Sequence, residues 1–175
     1  MINDLYRWIF YKVGNQVKLI MSKMSEGEAT KILLWQYFSP YDWYNLDGCE
    51  ECLDDLLTNL YYAAKTEEGN LIGFFCYNQA ARVSGGQKFY QDSDYLDIGL
   101  GMHPSYCGKG LGAAFLHEGM KFGVHLYGKN KFRLTVAAFN QRAIRMYEKA
   151  GFEKKNFFCC KYGGQEIDFW IMTFE

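Results

Sequence analysis

The sequence lacks any long apolar run. No segment approaches the roughly 18 consecutive apolar residues of a membrane-spanning helix, so no membrane partner is expected. The start, MINDLYRWIFYKVGNQ, holds an aspartate and no extended apolar stretch. That excludes the pattern of a secretory signal and makes a cytoplasmic location the expectation. Excess charge of one sign is also missing. A formal net charge of −1 gives no overall attraction to nucleic acid, which is not expected as a partner. Internal repeats and low-complexity segments are absent too.

Metal-ligand spacing is wanting as well. The six cysteines include one C-x-x-C pair, Cys49 and Cys52, and a zinc site needs a second pair. Glu50 and Glu51 lie between them and disfavour a reactive thiolate, so both cysteines are expected to pack beside a helix start. His103, His117 and His125 do not form H-x-x-x-H. No metal site is expected, and His103 is expected at the surface.

What is present is a core. With 49% apolar and 18% aromatic residues a disordered chain is excluded. The 175 residues suffice for one well-filled domain and are short for two, so a single domain over residues 1–175 is expected. Residues 1–16 fit either a short amphipathic helix around Leu5, Trp8 and Ile9 or a loose tail.

SEGEATKILLWQY opens with Ser25 and Glu28 in capping-box spacing and predicts a helix of about three turns. CLDDLLTNL predicts a second, short helix. LYYAAKT and LIGFFCYN flank EEGN as a hairpin. QAARVSGGQKFYQDSD is long for a connection, which makes it mobile or part of a site. YLDIGLGM alternates, with Leu96, Ile98, Leu100 and Met102 on one face and Tyr95, Asp97, Gly99 and Gly101 on the other. Pro104 ends it. Residues 110–127 then read as a helix, FRLTVAAF as a strand, and NQRAIRMYEKAG as a helix capped by Asn140 and closed by Gly151. A hairpin of NFFCCKY and EIDFWIMTF ends the chain. This order predicts one α/β domain with a mixed sheet.

The glycines of HPSYCGKGLGAAF need a reason, because glycine loses the most conformational entropy on folding. Glycines before a helix suit a phosphate, since the first-turn N–H groups have no intrahelical acceptor and the dipole favours an anion. A P-loop is excluded: Lys109 is followed by Gly110, and no glycine stands five residues before Gly108. GKGLGA does satisfy the dinucleotide pattern G-x-G-x-x-A. However, PSYC separates it from the strand, and KFRLTVAAFN brings no acidic ribose ligand.

LDIGLGMHPSYCGKGLGAAF and LTVAAFNQRAIRMYEKAGF together resemble the two motifs of the GNAT superfamily of acyl-CoA-dependent N-acetyltransferases. The likeness covers residues 96–152, in the family's order and separation. It implies a mixed, mostly antiparallel sheet flanked by helices on both faces, with acetyl-CoA as co-substrate and an amine-bearing acceptor. The D-I-G-L-G-M-x-P form is most similar to the branch that acetylates ribosomal-protein N-termini and aminoglycosides. Cys107 departs from the Arg or Gln usual at its position and offers phosphate neither charge nor a fork of donors.

The resemblance assigns roles to the remaining site residues. Backbone amides of Gly108, Gly110, Gly112 and Ala113, with Lys109, hold the pyrophosphate. Met102 pairs its backbone with the pantetheine arm like an added strand. The Leu100 N–H polarises the thioester carbonyl, with Gly99 and Gly101 permitting a bulge or close ligand approach. An alkylamine arrives charged, with a pKa near 10, and must lose a proton. Asp97 matches the family carboxylate that takes it, directly or through water. Tyr147 matches the acid that protonates the leaving thiolate, and Asn140 caps its helix and contacts the cofactor.

Asp92 and Asp94 are placed either to attract a cationic amine or in a solvated loop. Either some of Trp35, Tyr37, Tyr41, Trp43 and Tyr44 line an acceptor pocket, or the segment forms a satellite apolar cluster. The expected activity is acetyl transfer to a primary amine of a small molecule or protein, by direct attack in a ternary complex. A binding module of the same fold without turnover is the alternative, and a dinucleotide-dependent oxidoreductase a remote one. Monomer and homodimer both stay open.

Overall fold

The computed structural model of the protein describes residues 6–12, 15–46, 48–162 and 164–175, with side chains from residue 19 onward. Among the described residues the chain forms two compact units. One comprises Met1–Cys76 with Leu100–Glu118, the other Tyr77–Gly99 with Gly119–Glu175. No helix of the described residues is long and apolar enough to cross a membrane.

The first unit is built on four antiparallel strands paired in chain order: β1 (Tyr6–Lys12), β2 (Asn15–Lys23), β3 (Tyr61–Thr66) and β4 (Leu71–Tyr77). The register runs Tyr6↔Met21, Met21↔Ala64 and Ala63↔Phe74. Where the sequence leaves a short helix or a tail, YRWIFYK is a strand, as its aromatic and β-branched content suits. Leu5 lies outside the described residues.

Between β2 and β3 come α1 (Glu26–Leu33) and α2 (Glu50–Thr58). Glu28 accepts from the Ser25 N–H at 2.9 Å and its hydroxyl at 2.7 Å, which fixes the start of α1. The helix is shorter than three turns. Its exit is tightened by i→i−3 bonds from Leu34 to Lys31 and from Trp35 to Ile32. Met24, Ala29, Ile32, Trp35, Leu56 and Ala63 make the buried core between these helices and the sheet.

Glycine is required where backbones approach. A Cβ at Gly73 would stand 2.4 Å from the Gly101 carbonyl oxygen, and one at Gly101 would stand 2.3 Å from the Phe74 ring.

The second unit holds the start of β5 (Tyr95–Met102), β6 (Lys131–Ala137), β7 (Glu153–Tyr162) and β8 (Gln165–Phe174). β5 runs parallel to β6 from Tyr95↔Lys131 to Asp97↔Arg133. β8 pairs antiparallel with both β6 and β7. The second half of α3 (Gly112–Tyr127) lies here, and at Gly123 an added Cβ would meet Leu96, Tyr77 and Phe132. Tyr77 is fully buried and donates its hydroxyl to the Gly119 carbonyl at 2.7 Å. α4 (Gln141–Lys149) starts at Asn140, whose side chain accepts from the Ala143 N–H at 3.1 Å. The expected mixed, mostly antiparallel α/β fold is the one observed.

Candidate functional site

The glycine loop belongs to the first unit. A short 3-10 turn at Pro104–Tyr106 follows β5, and residues 107–111 then lead into α3. Gly108 and Gly110 take φ of +73° and +74°, the left-handed region that costs a side-chain-bearing residue about 1–2 kcal/mol. A Cβ at either would meet nothing within 4 Å. These glycines therefore serve the path of the backbone and leave the space above it open.

The entry into α3 differs from the other helix starts. Ser25 and Glu28 open α1, the Cys49 sulfur accepts from the Cys52 N–H in α2, and Asn140 caps α4. α3 follows Leu111, whose side chain has no acceptor, and its first backbone bond runs from the Phe115 N–H to the Leu111 carbonyl at 2.9 Å. The N–H groups of Gly112, Ala113 and Ala114 precede that bond and have no intrahelical acceptor. Lys109 and Ala113 are exposed beside them.

At the end of β5 the Met102 carbonyl accepts two donors, the Tyr37 hydroxyl at 2.9 Å and the Cys107 thiol at 3.4 Å. Cys107 thus ties the loop back to the strand. Gly101 is accounted for by the Phe74 ring. His103 is half-buried rather than superficial. Its Nδ1 accepts from the Ser105 N–H at 3.2 Å, and Trp35 meets its ring edge-on at 5.2 Å. Burial holds its imidazole below the ordinary value, which favours the neutral ring. Trp35 is a core residue, 7% exposed, so it belongs to the apolar cluster. Trp43 and Tyr44 contact each other edge-on at 5.2 Å.

In the second unit Asp97 is buried although it faces away from Leu96 and Ile98. Its Oδ1 accepts from Arg133 Nε at 2.5 Å, and its Oδ2 from Arg133 Nη2 at 3.0 Å and Arg82 Nε at 2.7 Å. Three of about four acceptor directions are filled by guanidinium donors. The long connection before β5 is fastened by this cluster. Arg133 Nη1 donates to the Phe89 carbonyl at 2.9 Å, and the Tyr90 hydroxyl accepts from the Val83 N–H at 3.0 Å while sharing a bond with Thr135. Gly85 and Gly86 lie against Cys160 and Phe158, where added Cβ atoms would come within 2.9 Å. Asp92 accepts from the Asp94 N–H within the connection itself.

Tyr147 is 8% exposed on the same face of α4 as Ile144, with its ring 6.0 Å from that of Phe152. The structure so brings Leu100, Met102 and the glycine loop into one unit and Asp97, Asn140 and Tyr147 into the other.

A sequence model of the Acetyltransferase (GNAT) family matches residues 28–152. The chain belongs to the GNAT acetyltransferase family.

Solved structures agree at the level of fold. A protein assigned as a phosphinothricin N-acetyltransferase matches at TM-score 0.65 and 16% identity, covering 90% of this chain and 98% of its own. The spermidine/spermine N-acetyltransferase SpeG from Vibrio cholerae, solved in mutant forms, matches at 0.61 and 17%, covering 89% and 93%. YncA from Salmonella typhimurium, assigned as an acetyltransferase and solved with its cofactor acetyl-CoA, matches at 0.57 and 16%, covering 90% and 93%. No curated protein matches the chain.

Arg82 and Arg133 escape the sequence reading as partners of Asp97, and Tyr37 as the partner of Met102. One signal for the first set is present: Arg133 is the lone charged residue in FRLTVAAF, and a charge on a buried strand needs a counter-charge.

Proposed function

We propose that this GNAT-family protein transfers acetyl from acetyl-CoA to a primary amine by direct attack in a ternary complex. The observation that carries the reading is the start of α3, where three N–H groups without helical acceptors follow two left-handed glycines with open space over them. That arrangement fits a pyrophosphate, which would take the dipole and the N–H donors together.

Gly108, Gly110, Gly112 and Ala113 supply backbone donors and Lys109 supplies charge. Cys107 contributes no fork and instead braces Met102. The Met102 backbone receives the pantetheine arm, and the Tyr37 hydroxyl, now on its carbonyl, yields to it. When bound, acetyl-CoA supplies the acetyl group as a thioester. The Leu100 N–H polarises its carbonyl, Tyr147 donates the proton that leaves with the thiolate, and Asn140 contacts the cofactor while capping α4.

For Asp97 the contacts favour an anchoring role over direct proton removal, because its oxygens are already engaged by two guanidinium groups. The ribosomal-protein or aminoglycoside branch rests on the D-I-G-L-G-M-x-P form alone. The solved likenesses include proteins named for spermidine and phosphinothricin. The acceptor is therefore proposed as a primary amine without a narrower class.

Thermal unfolding with acetyl-CoA, CoA or NAD tests the reading. A ligand at a hundred times its Kd adds about 2.7 kcal/mol, which is roughly 5–10 °C for a chain of this length. Acetyl-CoA and CoA are expected to shift the midpoint and NAD is not. A shift with NAD alone, or none with acetyl-CoA and CoA, sinks the assignment. A shift without turnover across an amine panel identifies a binding module.

A further inference from the structure

We propose that Cys49 and Cys52 form a reversible disulfide, a thiol-modification site separate from acetyl transfer. Both are thiols in the structure. Cys49 stands immediately before α2 in an extended conformation, with φ −68° and ψ 157°, and Cys52 is the third residue of the helix. That geometry turns the first side chain back over the first turn. The two sulfurs lie 3.0 Å apart, and the Cys49 sulfur also accepts from the Cys52 N–H at 3.3 Å. A disulfide needs about 2.05 Å between sulfurs, so closing the bond takes a movement of about 1 Å by two half-buried side chains.

Leu53 and Leu56 carry the contact of α2 with the core. The remaining cysteines are placed differently. Cys76 is buried, Cys107 is bonded to Met102, Cys159 is exposed on β7, and burial pushes the Cys160 thiol up.

The chemistry is thiol–disulfide exchange with a small-molecule disulfide such as oxidised glutathione. One cysteine thiolate attacks a glutathione sulfur, forms a mixed disulfide and releases one glutathione thiol. The second cysteine thiolate then attacks the protein-side sulfur and releases the other. Two cysteine thiols are oxidised, one glutathione disulfide is reduced, and the protons pass to the two released thiols.

The test uses the full chain. Native protein is incubated with oxidised glutathione, alkylated, digested and weighed. The peptide spanning residues 49–52 is expected to be lighter by two hydrogens and unalkylated, and dithiothreitol is expected to restore both alkylation sites. In Cys52→Ser, Cys49 is expected to carry glutathione. The same equilibration in strong urea is expected to bridge the pair at least tenfold less favourably, because the fold brings the sulfurs together. Two alkylated cysteines in the wild type, glutathione on both without a bridge, a bridge to another cysteine, or equal bridging in urea would each overturn the proposal.

Discussion

Asp97→Asn should destabilise the protein strongly, because it removes the counter-charge of a guanidinium that stays in place. Arg133 and Asp97 each have side chains only 3% exposed. Removing one partner of a buried pair costs about 3–5 kcal/mol. The lower end applies here. Asparagine keeps an acceptor oxygen near Arg133, the Phe89 carbonyl still takes Arg133 Nη1, and Arg82 is 37% exposed and solvated. A loss of about 3 kcal/mol corresponds to roughly 6–12 °C in the melting midpoint of a chain this long. Arg82→Gln serves as the comparison. Its half-exposed pair is screened by water, so it should cost under about 1 kcal/mol. The assay is thermal and urea unfolding of all three proteins, followed by far-UV and near-UV circular dichroism. If Asp97→Asn melts within about 2 °C of the wild type while acetyl transfer collapses, the carboxylate is a catalytic base and the anchoring argument fails.

Three further perturbations address other parts of the chain. Glu28 is in the first turn of α1, where burial would raise its carboxyl, but hydrogen bonds from Lys65 and Ser25 outweigh that and hold it below its ordinary 4.5. A carboxyl held down in the fold contributes stability above its unfolded value and loses it as pH falls through the folded one. Glu28→Gln should therefore flatten the fall of the melting midpoint below about pH 4.5, and an unchanged acid limb would remove the ion pair from the account. Tyr147→Phe should lower kcat by about 100-fold at unchanged acetyl-CoA affinity, the scale of a general acid. Full kcat would take the phenol out of the mechanism. Gly110→Ala meets no clash but must adopt φ near +74°, so it should cost about 1 kcal/mol and weaken acetyl-CoA binding. Wild-type stability and binding together would show that the loop path does not matter.

The parts of this fold that the sequence makes legible are those decided within a few residues. The Ser25–Glu28 capping box, the Asn140 cap and the EEGN hairpin each close over three to five positions, and each stands where the spacing places it. Asp97 shows the opposite case. Its position on the polar face of β5 is readable, yet its environment depends on Arg133, 36 residues on, and Arg82, 15 residues back. No local pattern reports those pairings, although in the structure two guanidinium groups, both stacked on the Tyr90 ring, enclose the carboxylate. Gly101 misleads for the same reason: a ligand and the Phe74 ring leave the same mark on the sequence. At the start of the chain YRWIFYK fits helix and strand alike in isolation, and only pairing with β2 decides it.

The glycine loop reverses that relation, since its sequence is explicit and its reason lies in what the helix does without. Three helix starts close their donors with Glu28, Cys49 or Asn140, at no cost in side-chain choice. The sixteen-residue α3 is the longest described helix and begins behind a leucine. Capping it would be worth about 1 kcal/mol, available from a single Ser or Asp at position 111. That stabilisation is forgone at the one helix whose approach runs through two left-handed glycines. A cap there would also place an oxygen over the N–H groups and repel an anion. The same argument predicts the outcome of Leu111→Asp: a more stable protein, with acetyl-CoA no longer raising its melting midpoint. A stabilised variant that still responds to acetyl-CoA as the wild type does would mean that the open helix start is not where the phosphates bind.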